Sequence, residues 1–406
     1  MTLDIRKIRS DFPILDNKVH GKQLVYLDNG ATTLKPKIVT DEINRHYELE
    51  ASNVHRGVHF HSENATLKYE AARRSFVRFL NARSENEIIF TSGTTASINL
   101  VAQSWGRNFL KQGDEIIISW LEHHSNIVPW QMLCEEKGCV LKVVPINKSG
   151  EVDVEAYKDL LSSKTKLVAM TWVSNAIGTI VPIKEVIDLA QQVGAITVVD
   201  GAQGSGHFNT DVQELGCDFF ALSGHKLFGA TGTGILYGKE ELLEKMPPVT
   251  GGGSMIRIVT FEKTTWAGLP DKFEAGTPHI GGVIGMAKAI EYLHNIGFDD
   301  IQKWEHELLL YGTEKLSSVP KLTMIGTAEN KAPIFSFVID GIHPHDMGTL
   351  LDQEGVAIRA GHHCCQPLMK FYGVPATSRA SLAFYNTKED IDALVNAIAK
   401  AQEIFA

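Results

Sequence analysis

The sequence predicts an α/β protein with a large domain on a mostly parallel sheet flanked by helices, followed by a smaller α+β C-terminal domain. Apolar strands alternate with helical segments between residues 115 and 199, which implies crossover connections between parallel strands. Two apolar strands run into Asp200 and Lys226, at the carboxyl ends where open α/β sheets bind ligands. After about residue 245 the alternation gives way to irregular, glycine-rich segments, which predicts a second domain.

The composition excludes several classes of protein. A chain of 406 residues with 44% apolar and 21% charged residues is long enough for two domains with a large core. The 39 basic and 48 acidic residues give a net charge of −9, which argues against nucleic acid or an anionic membrane as the main partner. The N-terminal residues have no apolar h-region, and five irregularly spaced cysteines predict no disulfide framework. We therefore expect a cytoplasmic protein.

The N-terminal part predicts an arm, a strand and a ligand loop. Residues 1–20 predict a helical arm, and residues 24–27 form an apolar strand that ends in the small, polar loop 28–33. Such a loop is suited to lie beside a ligand. His55 follows in a histidine-rich irregular segment without the spacing and acid partner of a metal site, so we expect a surface or ligand-contact histidine.

A turn of the kind that binds phosphate follows the strand 87–90. Gly93, Thr94 and Thr95 separate that strand from a helical stretch in which apolar residues recur at helical spacing. The free N–H groups at such a helix start, together with the helix dipole, favour an anion. Ordinary capping of the helix by threonine is the alternative. The sequence of this turn alone does not decide between them.

Lys226 is the candidate nucleophile. The apolar run 219–222 predicts a buried strand that stops at Ser223-Gly224-His225-Lys226. A lysine in a tight apolar corner loses hydration, which lowers its pKa and allows its amine to form a Schiff base with a carbonyl cofactor. On this stretch alone, a surface lysine in a hairpin loop explains the pattern equally well.

The C-terminal third predicts the smaller domain. We place the N-terminal arm at 1–20, the large domain at 21–280 with hinge or interface loops near 250–280, and the small domain at 281–406. Its predicted helices are 281–295 and 299–317, its predicted strands are 334–338, 356–359 and 380–384, and its last helix has Thr387 as the N-cap.

A cysteine pair in this small domain is the second candidate for chemistry. Cys364 and Cys365 follow Arg359, glycine and two histidines, and such surroundings favour the reactive thiolate form of a cysteine. Neighbouring residues cannot easily wrap a metal ion or close a disulfide. Further along, the planar fork of Arg379 suits a substrate carboxylate, with a structural ion pair as the alternative.

These features together favour pyridoxal phosphate as the cofactor. The cofactor needs a lysine for its aldehyde, a carboxylate for its pyridine nitrogen, helix-terminal N–H groups for its phosphate and a ring to stack on. The candidates, in the same order, are Lys226, Asp200, the turn at Thr94 and Thr95, and His123. A dinucleotide or a nucleoside triphosphate is less apt, because G-x-G-x-x-G and G-x-x-x-x-G-K-[ST] are both absent.

From about residue 20 to the C-terminus the sequence resembles the SufS-type cysteine desulfurases, which belong to the class V aminotransferase family of fold-type I pyridoxal phosphate enzymes. The segments that carry the resemblance are TSGTTASINLVA, EHHSNIVPWQ, VSNAIGT, VDGAQ, SGHKLFGATGTGILYG, GGGSMI, FEAGTPHIGG and RAGHHCCQPLM. It implies a mostly parallel sheet of the seven-stranded type in the large domain. Cys365 departs from the pattern, since many relatives have alanine there, and so do Ala96 and His279.

The resemblance also implies roles for individual residues. Lys226 would carry pyridoxal 5′-phosphate, Asp200 would bind the pyridine nitrogen, and His123 would stack on the ring and manage protons. The ring hydroxyl would contact Asn175 and Gln203, and the phosphate would be held by Thr94, Thr95, Ser223 and His225, with Thr277 reaching the phosphate of a neighbouring subunit. The substrate carboxylate would bind Arg379, with Arg359, His55 and Asn175 close by, and Cys364 would accept the sulfur.

The implied reaction converts L-cysteine to L-alanine and an enzyme-bound persulfide. The persulfide would pass to a SufE-type or SufU-type acceptor protein in iron–sulfur cluster assembly, and Thr277 implies a homodimer. Two alternatives remain open from the sequence. One is a selenocysteine lyase acting on L-selenocysteine, which does not need the thiol of Cys364, and the other is a catalytically silent sulfur-carrier or assembly scaffold.

Overall fold

A seven-stranded sheet forms the centre of the protein, whose computed structural model describes residues 3–405. The strands up to the end of this sheet are β1 (Lys18–Val19), β2 (Lys22–Gln23), β3 (Val25–Tyr26), β4 (Ile88–Thr91), β5 (Glu115–Ser119), β6 (Val140–Val144), β7 (Thr165–Thr171), β8 (Ile196–Asp200), β9 (Phe219–Ser223) and β10 (Gly234–Gly238). The later strands are β11 (Ile256–Val259), β12 (Thr264–Trp266), β13 (Leu322–Ile325), β14 (Ile334–Ile339), β15 (Val356–Ala357), β16 (Arg359–Gly361) and β17 (Thr377–Ser381).

Helices surround the seven-stranded sheet and a smaller four-stranded sheet in the C-terminal part of the chain. The first eight are α1 (Ile5–Ser10), α2 (Lys37–Arg45), α3 (Phe60–Leu80), α4 (Thr94–Val101), α5 (Arg107–Phe109), α6 (Val128–Lys137), α7 (Val154–Leu160) and α8 (Ile183–Gln192). The others are α9 (Val212–Leu215), α10 (Glu240–Lys245), α11 (Ile280–Ile296), α12 (Phe298–Ser317), α13 (Pro344–Gln353), α14 (Gln366–Tyr372) and α15 (Lys388–Ile404). Within residues 3–405, none of them is long and apolar enough to cross a membrane.

The large sheet has the order β4-β10-β9-β8-β7-β5-β6. Strands β6, β5, β7, β8 and β9 run parallel, whereas β10 is antiparallel to both β4 and β9. The predicted α/β class with a mostly parallel, seven-stranded sheet is therefore confirmed. All five residues of β5 and of β9 are buried, as expected when helices cover both faces of a parallel sheet.

The C-terminal part contains a four-stranded antiparallel sheet with the order β13-β14-β17-β16. Helices α12, α13 and α15 pack around it, and α15 begins with the predicted capping box between Thr387 and Asp390. The N-terminal strand β3 pairs in parallel with β15, so the segment after the N-terminal arm lies against the C-terminal sheet.

The structure differs from the prediction in one strand and in one segment predicted as loop. The strand predicted at residues 380–384 lies at Thr377–Ser381, and the apolar residues Leu382 and Phe384 are buried beyond its end. The segment near 250–280, predicted as loop, contains the hairpin β11–β12. In the N-terminal arm the helical prediction holds for Ile5–Ser10 but is wrong for Lys18–Val19, which form strand β1; residues 1 and 2 lie outside the described part of the chain.

Candidate active site

A pocket of about 310 Å³ lies where β7, β8 and β9 end. Twelve of the predicted site residues line it: Thr94, Thr95, His123, Asn175, Asp200, Gln203, Ser223, His225, Lys226, Arg359, Cys364 and Arg379. They come from both parts of the chain, because the parallel strands bring their carboxyl ends to one edge and the C-terminal sheet faces that edge. The pocket is thus the place where the lysine and the cysteine of the prediction meet.

Lys226 ends the short 3-10 turn Gly224–Lys226 that follows β9. Gly224 stands at the start of this turn because a Cβ there would come within 2.2 Å of the hydroxyl of Thr233. Burial lowers the pKa of the Lys226 amine, although the carboxylate of Asp200 opposes that shift. A larger fraction of neutral amine favours a nucleophilic role. Lys226 does lie in the connection between the antiparallel strands β9 and β10, but it is partly buried and lines the pocket, so the alternative of a surface lysine does not describe it.

Asp200, at the end of β8, is the buried carboxyl group of the pocket. Its Oδ1 accepts a hydrogen bond from the Ala202 N–H at 3.0 Å. Burial raises the pKa of this carboxyl group, whereas the bond from Ala202 and the charge of Lys226 lower it. A cationic ring nitrogen beside Asp200 would relieve the cost of burying its charge.

The turn before α4 has the form of an anion site. The N-cap is Gly93, with φ of 142° and no side-chain cap, so threonine does not cap this helix in the ordinary way. The Oγ of Ser223 instead lies 2.8 Å from both the backbone nitrogen and the Oγ1 of Thr94. Thr95 pairs its hydroxyl with that of Ser125 at 2.6 Å. Hydroxyl and N–H donors therefore converge at the positive end of the helix.

His123 faces the pocket as a neutral imidazole. Its Nδ1 accepts the backbone N–H of Ser125 at 3.0 Å, so the ring proton of the neutral form resides on Nε2. Burial and the nearby charge of Lys226 lower the pKa of His123 to about 3. The ring can therefore hold a proton at Nε2 without carrying charge, which suits a stacking partner for an aromatic ring.

Arg379 is buried and only some of its five N–H donors are bonded. Its Nη1 donates to the Asn175 carbonyl at 2.8 Å and its Nη2 to Asp28 at 3.0 Å, which realises the ion pair that the sequence left open. Its Nε is buried and has no hydrogen-bond partner among the described residues. Gly30 allows this approach, since a Cβ there would lie 3.1 Å from the Arg379 guanidinium carbon. A buried, unpaired donor beside a pocket favours binding of an acceptor such as a carboxylate.

The other members of the site hold loops in place. Arg359 donates from Nη2 to Asp28 at 2.8 Å, and the Gln203 amide donates to the Gly30 carbonyl at 2.7 Å. Cys364 is exposed and its carbonyl accepts the His124 N–H at 2.8 Å. The loop that carries Cys364 is therefore docked onto the edge of the large sheet.

Two predicted residues do not line this pocket. His55 pairs its Nε2 with Glu70 at 2.8 Å, and Thr277 is exposed, with its hydroxyl 3.4 Å from the Asn53 amide. The structure therefore does not bring His55 to the pocket that Arg379 of the same chain lines. The predicted reach of Thr277 toward a neighbouring subunit stays a prediction.

Sequence reasoning missed Asp28 as a member of the site. Its carboxylate joins both arginines, Arg359 and Arg379, across more than 330 residues of chain. The available signal was the small, polar loop 28–33, which was expected to lie beside a ligand and which lines the pocket through Gly30 and Ala31.

The residues present fit pyridoxal phosphate. An aldehyde needs the amine of Lys226, a protonated pyridine nitrogen needs the buried carboxylate of Asp200, and a phosphate needs the uncapped start of α4. The neutral ring of His123 lines the same pocket. The donor set therefore matches each part of that cofactor.

Comparison with known proteins gives the family. The profile of the family "Aminotransferase class-V" matches residues 25–394. A probable cysteine desulfurase of Halalkalibacterium halodurans is 51% identical over 99% of each chain. A cysteine desulfurase of Synechococcus elongatus is 51% identical over 98% of this chain, which spans 64% of that relative's length. The crystal structure of the Escherichia coli cysteine desulfurase CsdA, 41% identical, superposes over 100% of both chains with a TM-score of 0.93. The chain therefore belongs to the class V aminotransferase family of pyridoxal phosphate enzymes, among the cysteine desulfurases.

Proposed function

We propose that the protein is a SufS-type desulfurase that converts L-cysteine to L-alanine and holds the sulfur as a persulfide on Cys364. The observation that carries the proposal is the meeting of three groups in one pocket: the Lys226 amine, the Cys364 thiol and the guanidinium of Arg379. An amine, a sulfur acceptor and a carboxylate anchor are what this reaction on an amino acid needs.

The chain's own residues prepare the cofactor and the substrate. Bound pyridoxal phosphate supplies an aldehyde that captures amines and a pyridine ring that takes up electrons. Lys226 holds that aldehyde, and its lowered pKa leaves neutral amine available to remove the α-proton of cysteine at Nζ. Asp200 keeps the proton on the ring nitrogen. His123, neutral with its proton on Nε2, lies where it can hand a proton to a reacting atom.

Arg379 orients the substrate and Cys364 receives its sulfur. The guanidinium of Arg379, which lines the pocket and has N–H donors left over from its bonds to Asn175 and Asp28, donates to the substrate carboxylate and so aims the side chain of cysteine at the loop that carries Cys364. In the overall step, the Cβ–S bond of cysteine breaks and a new S–S bond forms on Cys364. One thiol and one cysteine give one persulfide and one alanine, so that atoms and electrons balance without an added oxidant.

The finer biological setting is part of the proposal. The persulfide passes to a SufE-type or SufU-type acceptor protein for iron–sulfur cluster assembly, and the exposure of Cys364 supports such a transfer. The protein acts as a homodimer in which Thr277, exposed here, approaches the neighbouring phosphate site. All five cysteines are free, which supports a reducing cytoplasm as its compartment.

Sulfur mapping tests the proposal. The holoenzyme is incubated with L-cysteine, alkylated and digested, and the added sulfur is located by peptide mass. We expect it on Cys364, and expect the Cys364→Ser variant to release neither alanine nor sulfide from L-cysteine. Cys217→Ser, a change to a buried thiol away from the pocket, is the matched control and is expected to retain both products. Label confined to Cys365 would contradict the assignment of the nucleophile.

The same variants separate the alternatives. A selenocysteine lyase that does not need the thiol would keep its activity on L-selenocysteine when Cys364 is replaced. A silent scaffold would stay colourless and take up no pyridoxal phosphate, whereas every predicted cofactor residue except Thr277 lines this pocket and supports binding.

A further inference from the structure

Cys365, the residue after the proposed nucleophile, is buried next to Asn175, a residue that lines the pocket. None of its side chain is exposed, and burial raises the pKa of its thiol, so the group stays protonated and can only act as an S–H donor or a weak acceptor. Its Sγ lies 3.1 Å from the Oδ1 of Asn175. The thiol is therefore hydrogen-bonded rather than simply packed.

The orientation of the Asn175 amide follows from its other partner. Its Nδ2 donates to the His363 carbonyl at 2.6 Å, and a carbonyl can only accept. Oδ1 must therefore face Cys365, where the thiol proton satisfies it. The amide NH₂ has a second N–H, and Asn175 lines the pocket, so this donor is available to a bound ring.

The docked loop needs such contacts because its backbone is strained. His363 and Cys364, neither of them glycine, have φ of 52° and 56°, in the left-handed region that costs free energy for residues with a Cβ. The contacts that hold this segment to the large sheet are few: the Asn175 amide on the His363 carbonyl, the His124 N–H on the Cys364 carbonyl, and the Gln366 N–H on the His124 Nε2 at 3.2 Å. Within the C-terminal part, the Thr377 hydroxyl lies 2.9 Å from the His363 Nε2, and the Cys365 N–H donates to the His362 carbonyl at 2.9 Å. A strained segment held by a small number of bonds can exist in docked and released forms.

We infer that Cys365 is a positioning residue whose thiol fixes the Asn175 amide and thereby latches the loop that carries Cys364 in its docked form. The Asn175 amide thus donates one hydrogen bond to the loop, at the His363 carbonyl, and has a second N–H for the cofactor ring. Releasing the thiol's bond frees the amide to turn, and the loop then opens more often. This role goes beyond the proposed function and depends on it only for the identity of the nucleophile.

Hydrogen exchange of the holoenzyme without substrate tests the inference. The exchange of the peptide spanning residues 359–369 is followed by mass spectrometry in the wild type and in Cys365→Ala, Cys365→Ser and Cys365→Val. Losing one such hydrogen bond is expected to raise the exchange rate of this peptide about fivefold. Alanine and valine lack a donor and should show the faster exchange, whereas serine keeps an O–H donor and should restore the slow exchange.

The variants distinguish a hydrogen bond from packing. Valine keeps the apolar volume without the donor, and serine keeps the donor with less volume. Slow exchange in Cys365→Ala, slow exchange in Cys365→Val, or fast exchange in Cys365→Ser would each overturn the inference. If the valine variant does not fold, the alanine and serine pair decides. Cys217→Ala, which removes a fully buried thiol elsewhere, should leave this peptide unchanged. Because no turnover is measured, a failed desulfurase assignment would not alter the readout.

Discussion

Replacing Arg379 with alanine is expected to weaken capture of the substrate carboxylate. In the structure, only two of the five N–H donors of this buried guanidinium are bonded, one to Asn175 and one to Asp28, which leaves donors for a substrate carboxylate. A hydrogen bond from a charged donor to a carboxylate contributes about 1.5–3 kcal/mol. Losing it should lower kcat/KM for L-cysteine about 10- to 150-fold. The loss should be smaller in Arg359→Ala, because Arg359 is half-exposed and its donors already serve Asp28.

The assay compares ligands with and without a carboxylate. Binding of L-alanine and of ethylamine is followed by the absorption of the bound cofactor in the wild type and in the Arg379→Ala variant. If Arg379 holds the carboxylate, the substitution should weaken L-alanine and leave ethylamine nearly unchanged. An equal loss for both ligands would refute the reasoning, since it would mean that Arg379 supports only the shape of the pocket.

The remaining predictions concern stability. Glu274→Gln breaks a buried ion pair with Arg73 and should lower the free energy of unfolding by about 3 kcal/mol. Glu85→Gln breaks an exposed ion pair and should change that free energy by less than about 0.5 kcal/mol. Both values are measured by unfolding in urea. Burial lowers the pKa of His207, but the buried Glu305 raises it more, so the pKa of His207 is raised overall. The contribution of this ion pair to the free energy of unfolding should therefore be complete below about pH 6.5 and decline as the pH rises through the raised pKa. This decline should be absent in His207→Gln. Burial raises the pKa of Glu122 to about 8, so wild-type stability should fall between about pH 4.5 and pH 8 relative to Glu122→Gln; unfolding curves with parallel pH dependence would contradict this.

The part of the site that lies on the parallel sheet was predictable from the sequence. Asp200 and Lys226 follow apolar strands, and parallel strands bring their carboxyl ends to one edge, so their proximity follows from local patterns. The turn at Gly93 was recognisable for the same reason, as a strand, a glycine and a helix start in succession. Assigning a role to each of these residues still required the resemblance to a family.

The part contributed by the C-terminal sheet was less predictable. Arg379 is hydrogen-bonded to Asp28, which is 351 positions away in the sequence, and no local sequence pattern predicts this contact. Strand β17 is buried although it reads Thr-Ser-Arg-Ala-Ser, so its polar residues misled a prediction based on apolar runs. Of this strand, only Arg379 lines the pocket.

Trapping of the cofactor linkage tests the central claim most directly. The holoenzyme is reduced with borohydride and digested, and the peptide that carries the pyridoxyl group is identified by mass. The account predicts the adduct on Lys226 in the wild type and its loss in Lys226→Ala, with Lys239→Ala, a change at the other end of the following strand, retaining it. An adduct on another lysine of the wild type, or none in protein that contains the cofactor, would contradict the account.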